Sequence, residues 1–358
     1  MNYPTPITSD NQHKSLTAVA QNRRVLADME RGQTYCAEGT YGTAMAFYSW
    51  LKKQVNQQYP IIDYQTSRVN RDKLRELSQR FLVRVVNHEI GLQKSPPVPW
   101  LLEFYPSLQN FYLPFTDVLG INGAYQWYVN GIQFPGLQHK VHPFYGAYFP
   151  TRTEHLQLFD SWLQHSKPVA NAIDLGTGCG VLTFYMLKHG VGNVIATDIN
   201  PNAIHSVGQE LDRLNLSSKV RLVNADLLEG VNCNNIDLLV FNPPWIPDNA
   251  TGNLDLAMYY QTDLFERFFG SAYEALPPKC KVVILFSTFA QAAGLRVEHP
   301  VRHELEHYKR FGLVNHIQSP VNQKPSHKKS WLSEIRSNEM IELWELERVS
   351  RLSVVGSQ

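Results

Sequence analysis

The stretch 169-VANAIDLGTGCGVLTFYMLKHG-190 decides the fold. A short apolar run carries an aspartate, Asp174. Three glycines follow at alternate positions, Gly176, Gly178 and Gly180, and a second apolar run then closes on Gly190. This reads as strand, tight turn and helix. Glycines at such a turn let backbone N–H groups approach a ligand closely. A glycine triplet alone also suits a βα turn with no ligand, so the neighbouring segments have to decide.

Downstream the same alternation recurs. Strand-like runs are NVIATDIN, KVRLVNADL, IDLLVFNPP, KCKVVILFS, LVNHIQS and MIELWELERV. Helical runs lie between them: PNAIHSVGQELDRLNL with proline at its start, a long LDLAMYYQTDLFERFFGSAYEAL, and HELEHYKRF. Strands alternating with helices predict an α/β fold with a doubly wound, mainly parallel sheet. Upstream the texture differs. Residues up to His88 read as helical, in LTAVAQNRRVLADMER, TAMAFYSWLKKQV and RDKLRELSQRFLVRVVNH. Residues 91–149 are crowded with proline, glycine and aromatics, and predict short strands and turns with a hairpin around VNGIQF. The expected division is 1–145, a helical then mixed region for substrate recognition, and 146–350, the α/β domain.

The whole chain bounds the function. Its 358 residues are 43% hydrophobic and 18% charged with a net charge of +1, which suits a soluble globular protein and argues against a strongly basic nucleic-acid binder. No apolar run is of membrane-spanning length, and the polar start MNYPTPITSDNQHKS is unlike a secretory signal. The four cysteines are scattered, without metal or disulfide spacing. A cytoplasmic location is expected.

Three carboxylates accompany the glycine loop, one before it and two after. Asp174 precedes it, where a pyrophosphate would be repelled and a cationic amino-acid end tolerated. Asp198 closes the next strand about twenty residues beyond the loop, the position of a carboxylate that binds a ribose diol. Asp226 closes the third strand, where it can accept a hydrogen bond from an adenine amine. Adenine, ribose and a positive, non-phosphorylated end together describe S-adenosylmethionine, with Asp174, Gly176, Gly178, Asp198 and Asp226 as its expected contacts. These residues resemble the class I, Rossmann-like methyltransferases over roughly residues 145–348. The resemblance implies seven strands, the last antiparallel.

Within that resemblance, 242-NPPW-245 is similar to the Asn/Asp-Pro-Pro-aromatic motif of methyltransferases acting on a planar NH2 nitrogen, in adenine, guanine or a glutamine amide. The motif would lie over the sulfonium methyl, so Asn242 is expected to touch both cofactor and substrate. A conjugated NH2 is a poor nucleophile because its lone pair is delocalised. Two acceptors, the Asn242 side-chain oxygen and the Pro243 carbonyl, can hold its protons while Trp245 stacks on the flat group. No metal is needed. The segment 148-YFPTRTEHLQLF-159 resembles the Pro-Arg-x-x-Thr-Glu stretch that opens the catalytic domain of release-factor glutamine methyltransferases, through Pro150, Arg152, Thr153 and Glu154, with one proline fewer and tighter spacing. It equally suits a helix start capped by Thr153.

Other candidates read as structural. His142 in HPFYG has no partner at metal spacing, and Cys179 is a small packing residue. The basic run 324-KPSHKKSW-331 reads as a solvated loop or a flap toward a phosphate or acidic surface. Three functions stay open. The first is methylation of a protein glutamine amide, possibly on a translation factor. The second is adenine-N6 or guanine-N2 methylation of RNA or DNA. The third is a non-catalytic binding module on the same fold. The oligomeric state is not legible.

Overall fold

Val194 and Ala196 on one strand, and Leu238 to Val240 on another, are wholly buried, which places these apolar runs at the centre of a sheet. In the computed structural model, which describes residues 1–9, 13–17, 21–249, 253–295, 297–321 and 331–349, seven strands form that sheet. They are β1 (Asn171–Leu175), β2 (Asn193–Asp198), β3 (Val220–Asn224), β4 (Leu238–Phe241), β5 (Lys281–Ser287), β6 (Phe311–Pro320) and β7 (Met340–Arg348). Their order is β6-β7-β5-β4-β1-β2-β3. β1 to β5 pair in parallel, and β7 runs antiparallel to both β5 and β6. The doubly wound sheet of seven strands, the last antiparallel, is as expected from the sequence.

Helices α1 (Glu154–His165), α2 (Val181–Lys188), α3 (Pro201–Leu214) and α4 (Leu264–Ala275) belong to this unit. On one side of the sheet Phe159, Phe184, Tyr185 and Val207 join a core with Ala172, Val240 and Leu285. On the other, Phe265, Phe268 and Phe269 of α4 pack with Ile173, Leu239 and Ile284. Alternate residues of each strand thus feed opposite cores, as the two-residue side-chain period requires. The expected helix over 254–276 is interrupted. Only α4 and a short helix at Asn253–Leu256 form, and between them Tyr259–Tyr260 pairs in parallel with Ile246–Pro247. Two tyrosines that suit a pleated edge win over the helical spacing around them.

The chain divides into two compact units, Asn2–Val129 and the residues from Asn130 onward. The second begins earlier than residue 146 because Phe134, Leu137 and Val141 belong to its core. The Tyr185 hydroxyl also donates to the Pro135 carbonyl.

The first unit is not helical up to His88. It has a five-stranded sheet in which His13–Leu16, Thr34–Ala37 and Phe81–Val86 are parallel neighbours, while Glu89–Ile90 and Asn110–Pro114 run antiparallel to Phe81–Val86. The helix Tyr64–Ser78 stops three residues short of Phe81, where β-branched Val83 and Val85 are buried and Arg84 is exposed. Helices Tyr41–Gln58 and Tyr64–Ser78 each start on a capping box, Thr40 with Thr43 and Asp63 with Thr66. The expected strands in INGAYQWYVN are instead one helix, Phe115–Asn130, whose Phe115, Val118 and Ile121 are buried at three-residue spacing. Of the hairpin around VNGIQF, one antiparallel bridge between Ile132 and Val141 forms. Among the described residues, no helix is long and apolar enough to cross a membrane. Of the basic run 324–331, all but Trp331 lies outside the described residues.

Candidate active site

Strand register brings the expected residues to one edge. Leu175 lies opposite Thr197 of β2 and opposite Phe241 of β4. The next residues, Gly176, Asp198 and Asn242, therefore leave three adjacent strands at one level of the carboxyl edge, where ligands bind in open α/β sheets. Asp198 lies opposite Asn224, the last residue of β3, so Asp226 follows two residues beyond the end of that strand.

The glycine loop is tightly built. Gly176, Gly178 and Gly180 have φ of 68°, 55° and 83°. A Cβ on Gly178 would lie 2.8 Å from the Tyr148 carbonyl oxygen, which is backbone and cannot swing aside. Tyr148 is held there because Asn200 and Asn202, at the start of α3, donate to the carbonyls of Gly146 and Tyr145 at 2.8 and 2.9 Å. The Gly178 N–H donates to Asp198 at 2.9 Å, and the Asn200 N–H to its other oxygen at 2.8 Å. Burial raises the Asp198 pKa, and these two N–H groups act against the rise.

Asp174 lies beneath the loop, wholly buried. One oxygen accepts from the Thr177 hydroxyl at 2.7 Å, the Thr183 N–H at 3.0 Å and the Thr183 hydroxyl at 2.7 Å. The other has no hydrogen-bond partner among the described residues. Burial pushes its pKa up to about 6, against the pull of those hydrogen bonds. The residue expected at the cationic end of the cofactor thus braces the loop from below.

A cavity of about 390 Å³ opens above this edge, lined by Gly176, Gly178, Asp198, Asp226, Phe241 and Pro244 among others. Its polar groups sit beside apolar ones: Ile199, 54% exposed, next to Asp198, and Leu227 next to Asp226. Leu227 holds a left-handed φ of 50°, a backbone conformation rare for a side chain of its size. Asp226 is ion-paired with Arg267 of α4 at 2.8 Å. Tyr260 and Arg267 form part of the far wall.

These features fit S-adenosylmethionine. The volume is in the range of small-molecule sites. Two carboxylates sit where hydroxyl and amine donors need acceptors. An exposed isoleucine and a leucine offer flat apolar cover, and the glycine loop comes close with no side chain. Gly176, Gly178, Asp198 and Asp226 would hold the cofactor, which brings an electrophilic methyl group on a cationic sulfur.

The NPPW turn forms the neighbouring wall. Pro243 is buried, and Asn242 and Trp245 are half-buried. The Trp245 indole N–H points at the Asn242 side-chain oxygen (3.2 Å) and the Leu285 carbonyl (3.3 Å). Its ring meets the His155 ring edge-on, with centroids 5.2 Å apart. His155, in the first turn of α1, is 1% exposed, and neither ring nitrogen has a hydrogen-bond partner among the described residues. Burial first, and the Arg152 charge second, drive its pKa down to about 3. Arg152 donates to both oxygens of buried Glu339 at 2.9 Å, and Glu339 accepts from Ser287 at the end of β5. The segment 150–155 is thereby tied to the sheet beside NPPW. Thr153 stands at the N-cap position of α1 without a side-chain capping bond.

Sequence reasoning missed Tyr148, Asn200, His155, Tyr260 and Arg267. Asn200 had a local signal, since Asn before proline marks a helix start, and Tyr148 and His155 lie within the quoted segment 148–159 without having been singled out. Tyr260 and Arg267 reach the site by long-range packing.

Residues 157–308 match the family model described as the methyltransferase small domain. Curated relatives include a ribosomal protein uL3 glutamine methyltransferase of Neisseria gonorrhoeae, 27% identical over 135 residues, covering 37% of this chain and 44% of the relative. Another is a putative protein N5-glutamine methyltransferase of Methanocaldococcus jannaschii, 27% identical over 132 residues, covering 37% of this chain and 63% of the relative. The chain thus spans less than half the length of the first of these. A solved structure of a putative RNA methyltransferase from Pyrococcus horikoshii aligns with a TM-score of 0.39 at 17% identity, covering 63% of this chain and 98% of that one. The unit that begins at Asn130 thus contains, over residues 157–308, a stretch similar to the methyltransferase small domain, on a seven-stranded doubly wound sheet.

Proposed function

We propose that this chain is an N-methyltransferase that moves the methyl group of S-adenosylmethionine to the side-chain amide of a glutamine in a protein. The observation that carries the reading is the placement of Asn242 and Pro243 at the end of β4, beside the glycine loop on β1. Gly176 and Asn242 follow paired residues of neighbouring strands, so an NH2 group held by the turn lies next to a cofactor held by the loop.

The chain's own groups supply positioning. Asn242 Oδ1 and the Pro243 carbonyl accept the two amide protons, turning the nitrogen lone pair away from them and toward the methyl group. When bound, S-adenosylmethionine would supply the methyl group, one N–CH3 bond replacing one S–CH3 bond, with one nitrogen proton lost to water. Trp245 fixes the Asn242 amide through its indole N–H, and the two prolines fix the turn.

The glutamine choice is supported by the relatives, whose names state glutamine methylation, of ribosomal protein uL3 in one case. The Arg152–Glu154 segment packed near NPPW is in keeping with it. Such a substrate would place the enzyme in the cytoplasm. Residues 2–129 would then serve recognition of the protein partner. The test is to incubate the purified chain with methyl-labelled S-adenosylmethionine and separate ribosomal protein and RNA fractions. Label should appear in protein as N5-methylglutamine by mass spectrometry. Label in adenine or guanine instead would replace the glutamine reading with the nucleic-acid one, and label in neither fraction would leave a small molecule or a binding role.

A further inference from the structure

The segment 298-EHPVRHELEH-307 carries ligands of a metal-binding type outside the cavity just described. Its inward-facing residues anchor it. The His299 ring meets buried Glu342 at 2.7 Å. Glu304, 1% exposed, holds the Arg310 guanidinium at 2.6 Å and the Arg310 N–H at 3.1 Å. Between these anchors a short α-helix, Pro300–His303, passes into a π-turn, Glu304–Tyr308, closed by the Lys309 N–H on the Glu304 carbonyl at 2.7 Å. Single π-turns inside helices are rare and frequent at functional sites.

The outward side presents Glu298, His303 and His307. The Glu298 carboxylate lies 2.7 Å from His303 Nδ1 and 3.9 Å from His307 Nε2. One ligand atom from each residue falls within 4.8 Å of the others. The two imidazole centroids are 4.5 Å apart. One carboxylate thus faces two imidazoles that also lie against each other. A tetrahedral zinc ion with bonds of about 2.0–2.1 Å sets its ligand atoms roughly 3.3 Å apart. The observed 2.7 and 3.9 Å straddle that spacing, and all three side chains are exposed enough to adjust by rotation alone.

We propose that Glu298, His303 and His307 form a binding site for one divalent transition-metal ion, Zn2+ by its preference for two imidazoles and a carboxylate. Three protein ligands leave a coordination position for water or for a donor of an incoming molecule. Glu298 and His303 also line a second cavity of about 280 Å³, and Tyr260 lines both this cavity and that of the cofactor. The ion would therefore sit on the rim of a pocket next to the methyltransferase site.

The test uses the full chain stripped with a chelator and titrated with ZnSO4 in a calorimeter. One ion per chain is expected. His303→Ala and His307→Ala should each weaken binding by about tenfold or more. Glu298→Gln should weaken it too, and His165→Ala, a histidine elsewhere on the surface, should leave it unchanged. Co2+ should give the intense visible bands of a low-coordinate site, lost in His307→Gln, and Mg2+ should give no heat. No saturable zinc binding, or zinc binding unchanged in the double His303→Ala/His307→Ala variant, would overturn the site. These readouts do not depend on methyl transfer, so they stand whatever the substrate proves to be.

Discussion

The two walls of the cofactor cleft are built in different ways. The glycine-loop wall rests on a buried carboxylate with three donors on one oxygen, a second carboxylate gripped by two backbone N–H groups, and the strap at Tyr148 tied down by two asparagines. The NPPW wall has fewer polar ties: one indole N–H shared between Asn242 and Leu285, an edge-on ring contact with His155, apolar packing of Trp245 on the core, and the short pairing of Ile246–Pro247 with Tyr259–Tyr260. A densely bonded wall cannot change without loss of fold. A sparsely bonded wall can lose a group and keep its shape. Substitutions on the first should therefore appear as stability or cofactor affinity, and on the second as rate.

The sharpest way to break that division is Asn242→Ala. It should lower methyl transfer by about two to three orders of magnitude, the cost of one preorganised polar contact at a reacting centre. Cofactor affinity by calorimetry should stay within about twofold of the parent, a difference of about 0.4 kcal/mol. Full-rate transfer by the variant would reduce NPPW to a turn.

Asp174→Ala addresses the opposite wall. It strands the Thr177 hydroxyl and both Thr183 donors in a dry interior. Unfolding in urea should show a loss of about 2–4 kcal/mol, since each buried unsatisfied donor costs about 1–3 kcal/mol and the cavity relaxes in part. A variant as stable as the parent with weakened cofactor binding would instead make Asp174 a direct ligand.

The same contrast explains what the sequence could disclose. The glycine loop and its acids are local: a strand, three glycines and a carboxylate at or just past the end of each of the next two strands are set by backbone geometry, and all can be read in order. NPPW is legible for the same reason, as two prolines ending an apolar run. What surrounds the motifs was not legible. His155 reaches Trp245 across ninety positions of chain, and Arg267 reaches Asp226 across 41. The helix expected over 254–276 failed where Tyr259 and Tyr260 found a strand partner, a tertiary gain that overrides spacing. In the first unit, Phe81–Val86 looked like the end of a helix because apolar residues crowd it, while its β-branched content already favoured a strand.

A titration sharpens the comparison at intermediate size. His155 has a folded pKa of about 3 against an ordinary 6.5, so the unfolded chain takes up its proton first. Its contribution to stability is lost as pH falls below about 6.5, and amounts to about 2 kcal/mol by pH 5. Asp174 slopes the other way: with a pKa raised to about 6, its contribution is present below the unfolded value and is lost as pH rises toward 6. His155→Phe keeps an aromatic ring against Trp245 and removes only the first slope. The difference in unfolding free energy between parent and variant should therefore grow by about 2 kcal/mol in favour of the variant from pH 7 to pH 5. A flat difference would mean that the ring is hydrated or already protonated in the folded chain.

The smallest expected effect is the most discriminating. If Trp245 acts only as a flat face for the substrate, Phe should replace it with little loss of rate. The indole N–H, however, bonds the Asn242 oxygen and the Leu285 carbonyl. Trp245→Phe removes that proton, and with it the group that orients the Asn242 amide, while a ring remains against His155. One neutral hydrogen bond is worth about 1 kcal/mol, which corresponds to about a fivefold change in rate. The loss should fall on kcat and leave the cofactor affinity and the unfolding midpoint nearly unmoved. Trp245→Tyr, which cannot place a donor at the indole position, should behave like the phenylalanine variant. Substrate KM rising with kcat intact would assign the ring to stacking. Both parameters unchanged would mean that Asn242 is oriented by the proline turn alone.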